Sequence, residues 1–348
     1  MNQSELEWLL GYLRQTPAMQ SKMNIGQGIK IAQPNIEKMA DLYVLPGDDT
    51  AAIATEHGYM LHACEGMIPN FVEHHPYFAG WSAVMANISD IAAMGGRATS
   101  VVNSFWHRSA EQAQALVQGM QDACQHYGVP LVGGHTHINP NFQPGLSVAI
   151  QGEAKQLLSV MHVQPQQNIL LVLNLKGQFH PNTTYWKCFE GVDGDQLQAE
   201  LEILPQLAEQ GLAYASRDIS NAGILGSLLM LLEASGCGAE IQLDQIAKPQ
   251  DVEWQHWLQI FPSYGFLLTA DDEECEKIIG LFAAQDLHCA VIGQVNASGK
   301  VTVSNQKSQV EFWDFQQPFT GLSYAEQIQD FQRFQHDFRQ GELSLCQA

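Results

Sequence analysis

Apolar and polar positions alternate along this chain with two periods, and the switches between them lay out its elements. A helix is predicted over residues 5–14, followed by the glycine-bearing segment 24–30. After the acidic turn Gly47-Asp48-Asp49, residues 50–55 and 59–63 read as two strands joined across His57-Gly58. Pro76 opens a helix in which Trp81, Val84, Met85, Ile88, Ile91 and Ala92 keep the 3.6-residue period, and Gly95-Gly96 ends it. Residues 98–106 read as a strand. Ser109 with Gln112 makes a capping-box start for a helix that runs to Tyr127. Residues 129–132 and 146–153 supply further strands.

The second half begins near Gln164, where a polar run precedes β-like residues 169–175. A helix is predicted over 195–210, split or kinked at Pro205. A strand at 212–216 delivers Asp218 into a turn at 219–223, and residues 224–235, apolar nearly all round, read as a buried helix. Short strands at 264–269 and 289–295 flank an acidic helix over 271–284. In the Gln-rich, aromatic tail, Tyr324, Ile328, Phe331 and Phe334 recur at the spacing of an amphipathic docking helix.

At 348 residues the chain is long enough for two domains. Its composition, 45% hydrophobic and 15% charged, is that of a globular enzyme rather than a disordered or fibrous chain. A formal net charge of −21 argues against a broad nucleic-acid footprint, which needs a basic stripe. Seven cysteines, an odd count without a CxxC pair, argue against a disulfide framework or zinc ribbon and suit free thiols in a reducing compartment. The N-terminus has no basic, then apolar, leader pattern, and the most apolar stretch, 224–232, is too short to cross a bilayer. A cytoplasmic location with no membrane partner is the expectation.

Three acidic runs carry the candidate chemistry: Gly47-Asp48-Asp49, the run SDIAAMGG at 89–96, and Arg217-Asp218-Ile219-Ser220. Each sets an aspartate beside glycine or other small residues, where backbone can approach a ligand closely. Carboxylates converging on one cleft repel each other unless cations bind there. Hard oxygen ligands suit Mg²⁺, which in enzymes usually arrives with phosphate. No GxxxxGK[ST] loop is present.

The order of these runs resembles the PurM-like superfamily: aminoimidazole ribonucleotide (AIR) synthase, thiamine-monophosphate kinase, selenophosphate synthetase and the hydrogenase-maturation carbamoyl dehydratase HypE. The resemblance covers roughly residues 46–295 and is strongest in the run GWSAVMANISDIAAMGG at 80–96, with GDDTAAI at 47–53 matching the kinase branch. It implies an α+β fold of two α/β domains, with an N-terminal nucleotide- and Mg²⁺-binding domain at 1–160 and a C-terminal domain at 161–318. A helical tail at 319–348 follows. It also implies a homodimer in which strands of the N-terminal domains pair and ATP lies along the seam.

The resemblance assigns Mg²⁺ to Asp48, Asp49, Asp90 and Asp218, with Glu65 as a supporting ligand, and counts Asp90, Asp218 and Asn87 as catalytic. Two readings stand for Asn87: it orients Asp90 or a phosphate, or it is a polar interruption satisfied by backbone. Asp218 either binds metal or substrate, or caps the following helix. Gly26, Gly28 and Lys30 match a glycine-rich lid over phosphate, and Gly47, Gly95, Gly133 and Gly134 mark further close approaches to the nucleotide. Lys30, Arg97 or Arg217 would offset phosphate charge, with a helix-end cap as the other reading of Arg97.

The chain also departs from the family pattern. Cys64-Glu65-Gly66 stands where relatives carry Thr-Asp-Gly, and Gly133-Gly134-His135 stands where the kinase branch carries Gly-Gly-Asp. His135 and His137 would share one face of a strand, but spacing places no third metal ligand with them. His74-His75 reads as surface. The turn at 261–268 lacks a charged residue, which weakens thiamine phosphate as substrate. Neither the selenophosphate synthetase nucleophile nor the carbamoyl dehydratase cysteine tail is present. The expectation is an ATP-dependent, Mg²⁺-requiring enzyme that phosphorylates a small molecule or activates its oxygen. A thiamine-monophosphate-kinase-like kinase and a non-catalytic nucleotide-binding homologue are the alternatives.

Overall fold

The computed structural model describes residues 1–32, 47–262 and 264–325. Helix α1, Gln3–Arg14, starts at a reciprocal cap: Asn2 accepts from the Glu5 amide while the Glu5 side chain accepts from the Asn2 amide. Its Leu6, Leu9, Leu10 and Leu13 turn inward. Thr16 caps α2, Pro17–Lys22, with Pro17 in the first turn, where its missing N–H costs nothing. Helix α3, Ile25–Ala32, follows.

Then come β1, Ala51–Thr55; β2, Gly58–Met67; α4, Pro69–His74; α5, Pro76–Ala93; β3, Arg97–His107; α6, Ala110–His126; β4, Leu131–Ile138; and β5, Gly145–Ala154. The strands form a sheet ordered β1-β2-β5-β3-β4, antiparallel except between β3 and β4. Helix α5 is buried along most of its length and touches β2 and β5, the neighbouring α6 and the second half of the chain. Its end is fixed by the Gly96 amide donating to Ile91 and the Gly95 amide to Ala92. The opposite face of this sheet exposes Val102 and Trp106. Their register partners on β4, Gly133 and His137, are exposed too.

The second half contains β6, Asn168–Leu173; β7, Gln178–Phe179; β8, Trp186–Lys187; α7, Gly194–Glu209; β9, Ala215–Asp218; α8, Gly223–Glu233; β10, Gly238–Gln242; α9, Trp254–Trp257; β11, Gly265–Ala270; α10, Asp272–Ala283; β12, His288–Asn296; β13, Lys300–Asn305; and β14, Ser308–Asp314. Its main sheet runs β14-β13-β10-β12-β6-β11-β9. Strands β6 and β11 are buried at every position, as expected for a sheet covered on both faces. Ile169, Leu171 and Leu173 join the core that holds Leu228 and Leu232 of α8. Leu170 and Val172 pack into a second core with Leu204 and Leu207 of α7 and Ile278 and Phe282 of α10. Each such side chain contributes roughly 1.5–3 kcal/mol of transfer free energy. The molecule is thus a mixed α/β protein of two sheet-centred halves.

Several boundaries differ from the sequence expectations. Helix α7 runs unbroken through Pro205, because Ile203, Leu204, Leu207 and Ala208 bury a continuous stripe that outweighs one lost backbone bond. Strand β9 lies later than expected, so Asp218 ends the strand rather than following it. The segment at 24–30 is not an open lid: Gly26 and Gly28 lie within α3, and a Cβ at Gly26 would stand 2.4 Å from the Thr320 carbonyl oxygen. Strands β10, β13 and β14 and helices α2 and α4 escaped the periodicity reading. Of the tail positions, Tyr324 is fully buried, while Ile328, Phe331 and Phe334 lie outside the described residues. The six described cysteines are free, and all but Cys64 are buried.

Candidate active site

Helix α5 brings Ser82, Ala86 and Asp90, one helical turn apart, to the wall of a cavity of about 200 Å³. Strand β2 supplies Glu65, whose register partner Val148 is a buried core residue, so Glu65 faces α5 rather than the open side of the sheet. Asp218 arrives from the last position of β9, followed on the same wall by Ser220 and Asn221. Lys22, from the end of α2, reaches in from the N-terminal segment, and Phe71, Tyr185, Phe261 and Pro262 close the far end.

One carboxylate oxygen from each of Asp49, Asp90 and Asp218 lies within 4.8 Å of the others. Asp49 is held on both sides: Arg217 reaches it at 3.1 Å, and the Asp218 backbone amide donates to its other oxygen at 3.1 Å. Arg217 also donates to the Gly47 carbonyl at 2.7 Å, and Gly47 has the positive φ that glycine adopts without strain.

The cluster carries more negative charge than its surroundings neutralise. Burial, then the charges of Asp218, Asp49 and Glu65, pushes the Asp90 carboxyl well up. Burial, then Asp49, pushes Asp218 up to about 8. Asp49 and Glu65 are raised chiefly by burial, Asp49 being partly relieved by Arg217. Burial and Arg217 lower the Lys22 ammonium, against the pull of Asp218, Glu65 and Asp49. Hard oxygen donors converging in a buried, undercompensated group fit a divalent cation such as Mg²⁺.

Other predicted residues lie elsewhere. Asp48 does not join the three: its oxygens accept from the Ser159 hydroxyl at 2.6 Å and the Val160 amide at 2.8 Å, tying the start of the first half to the turn that leads into the second. Burial raises it to about 6. Asn87 is fully buried, and its amide donates to the Ala83 and Val148 carbonyls at 2.7 and 3.0 Å. Through these two bonds it braces α5 against β5, while its Oδ1 is buried with no partner among the described residues. Gly95 packs where a Cβ would stand 2.6 Å from that of Ala208. Gly133 and Gly134 lie on exposed β4, away from the cavity. The side chain of Lys30 lies outside what is described. Arg97 grips Glu202 and Glu209 of α7, at 2.9 and 2.6 Å, and so clamps the two halves together instead of facing the cavity. His75 is half-buried and meets His180 at 3.2 Å, whereas His74 is exposed.

Sequence reasoning missed Lys22, Ser82 and Tyr185 as cavity residues. The helical offsets from Asp90 back to Ala86 and Ser82 were readable, but nothing in the local pattern announced Lys22 or Tyr185, whose places depend on the path of the whole chain.

The chain belongs to the AIR synthase related protein family. The family's N-terminal domain matches residues 47–154 and its C-terminal domain residues 180–305. An uncharacterised protein of Synechocystis sp. is 41% identical over 279 residues, covering 80% of this chain and 86% of its own length. A selenide, water dikinase of Sulfurimonas denitrificans is 28% identical over 217 residues, 59% of this chain and 62% of that protein. Among solved structures, Thermotoga maritima PurL complexed with ATP superposes with a TM-score of 0.68 at 19% identity, covering 84% of this chain. The chain spans only 50% of that PurL, so this likeness concerns the fold. Among the described residues no helix is long and apolar enough to cross a membrane.

Proposed function

We propose that this protein is a Mg²⁺-dependent, ATP-using enzyme that acts on an oxygen of a small molecule held in the cavity beside Asp90 and Asp218. The observation that supports this reading is the trio Asp49, Asp90 and Asp218, within reach of a single cation and next to an open cavity. The dikinase relative and the ATP-bound PurL make ATP the phosphoryl donor of choice.

Asp49, Asp90 and Asp218 would hold Mg²⁺, which when bound neutralises phosphate oxygens. The chain's own part is alignment: Arg217 and the Asp218 amide fix Asp49, and α5 fixes Asp90. In the transfer, the acceptor oxygen bonds to the γ-phosphorus as the bond from that phosphorus to the β–γ bridging oxygen breaks, and ADP leaves. Where the acceptor is a hydroxyl, Glu65 on the cavity wall takes its proton.

The exposed face of the first sheet, with Val102 and Trp106, is assigned to a second copy of the chain, in keeping with the homodimer implied by the family resemblance. Calorimetric titration with Mg²⁺ and the non-hydrolysable analogue AMPPCP tests the nucleotide site. Binding that is lost on adding EDTA supports the reading, and binding indifferent to Mg²⁺ and to Asp90→Asn refutes it. Nucleotide binding without ADP formation across a broad acceptor panel would instead point to a binding protein.

A further inference from the structure

The cavity has two chemically opposed ends. Asp90, Asp218 and Glu65 border one, while Phe71, Tyr185 and Phe261 wall the other. The aromatic wall is built rather than incidental: Phe71 and Tyr185 meet edge to face at 5.2 Å, and Tyr185 and Phe261 at 4.9 Å. These contacts fix the ring of Tyr185 from two sides, so the wall is rigid before any ligand arrives.

Charge narrows the ligand further. Lys22 is the only cationic side chain among the described residues lining the cavity, and it already faces Glu65, Asp49 and Asp218. Among the described lining residues there is no arginine fork for a phosphate carried by the acceptor itself. The volume, about 200 Å³, lies below the roughly 300–1,000 Å³ of sites for drug-sized ligands, which leaves room for a single substituted ring.

From these three observations we infer that the acceptor is a small, uncharged, unphosphorylated aromatic ring bearing a hydroxyl or carbonyl oxygen. The ring lies against Tyr185 and Phe261, and its oxygen points to Asp90 and Asp218. This inference rests on the ATP-using reading above for the direction of the reaction, but the ring site stands on the cavity alone.

The test uses the full chain and two matched probes, 3-pyridinemethanol and its phosphate monoester, measured by ligand-observed saturation-transfer NMR with and without Mg²⁺ and AMPPCP. The expected result is binding of the alcohol, at least tenfold weaker binding of the ester, and a fivefold or greater loss of alcohol binding in Tyr185→Leu with AMPPCP affinity unchanged. Ester binding equal to or tighter than that of the alcohol overturns the inference, as does alcohol binding untouched by Tyr185→Leu. If that variant does not fold, Phe261→Leu and the alcohol-to-ester ratio on the unaltered chain decide the question. Alcohol binding without AMPPCP binding would sink the nucleotide reading and leave the ring site standing; the reverse pattern would sink the ring site alone.

Discussion

Arg217 and Asp49 form a buried ion pair, 3.1 Å apart, between the segment that enters the first sheet and β9, the edge strand of the second. Their side chains are only 10% and 3% exposed. Removing one partner of so enclosed a pair leaves a buried, uncompensated charge, whose cost is several times that of losing a surface pair. Arg217 is therefore committed to holding Asp49 and the Gly47 carbonyl, and phosphate charge must be met by other groups.

Replacing Asp90 with Asn should separate function from stability. With EDTA present the variant is expected to melt at a higher temperature than the parent, because one of several mutually repelling buried carboxylates is gone. Its Mg²⁺-dependent ADP formation should fall on the order of 100-fold or more. Thermal melts in EDTA and in Mg²⁺, paired with an ADP assay, read both effects. A lower melting temperature in EDTA would contradict the repulsion argument.

Acid and Mg²⁺ should compete for the same site. Burial and Asp49 raise the Asp218 carboxyl from 3.8 to about 8. Its contribution to stability is therefore whole below the unfolded value and is lost as pH rises through 8. In EDTA the protein should grow less stable from about pH 4 to pH 8, the window between the unfolded and folded values, and level off above it. Mg²⁺ affinity should rise over the same range, approaching about tenfold per pH unit for each proton displaced. Melting curves across pH and titrations in buffers of different ionisation enthalpy check the two trends.

Glu233 sits at the end of the apolar helix α8, 2% exposed, and its carboxylate accepts from the amides of Phe319, Thr320 and Gly321 and from the Thr320 hydroxyl. Glu233→Ala should lower stability by about 3 kcal/mol, since several buried donors lose their acceptor together. Cleavage around residues 319–325 in limited proteolysis should appear sooner than global unfolding. Urea denaturation gives the magnitude and mass spectrometry the site.

Trp106→Glu on the open face of the first sheet should shift a dimer to monomers without unfolding the chain, because this side chain is already exposed in one copy. Light scattering beside circular dichroism separates the two outcomes. An unchanged mass would remove this face from consideration.

Much of this architecture could be read from the order of residues, and the limits of that reading are physical. Helix α5 was legible because six apolar residues hold one period and Gly95-Gly96 supplies the stop. Asp49, Asp90 and Asp218 were legible as acidic residues beside small ones, although only folding shows that Asp48, the neighbour of Asp49, turns to Ser159. Gly95 and Gly26 invited a ligand reading because backbone close to a ligand and backbone close to other protein atoms make the same demand for a missing Cβ. The strands β10, β13 and β14 mix polar and apolar positions in short stretches, where neighbouring strands decide the state more than local preference does.

The placement of the three aspartates has a consequence for how such a chain can be divided. Asp49 and Asp90 precede Ala154, the last residue of the first sheet, and Asp218 follows Asn168, the first residue of the second. A cut in the connecting stretch would leave either fragment short of the full trio. On the proposed function neither piece would inherit the site, so cation occupancy would report whether both are present and joined.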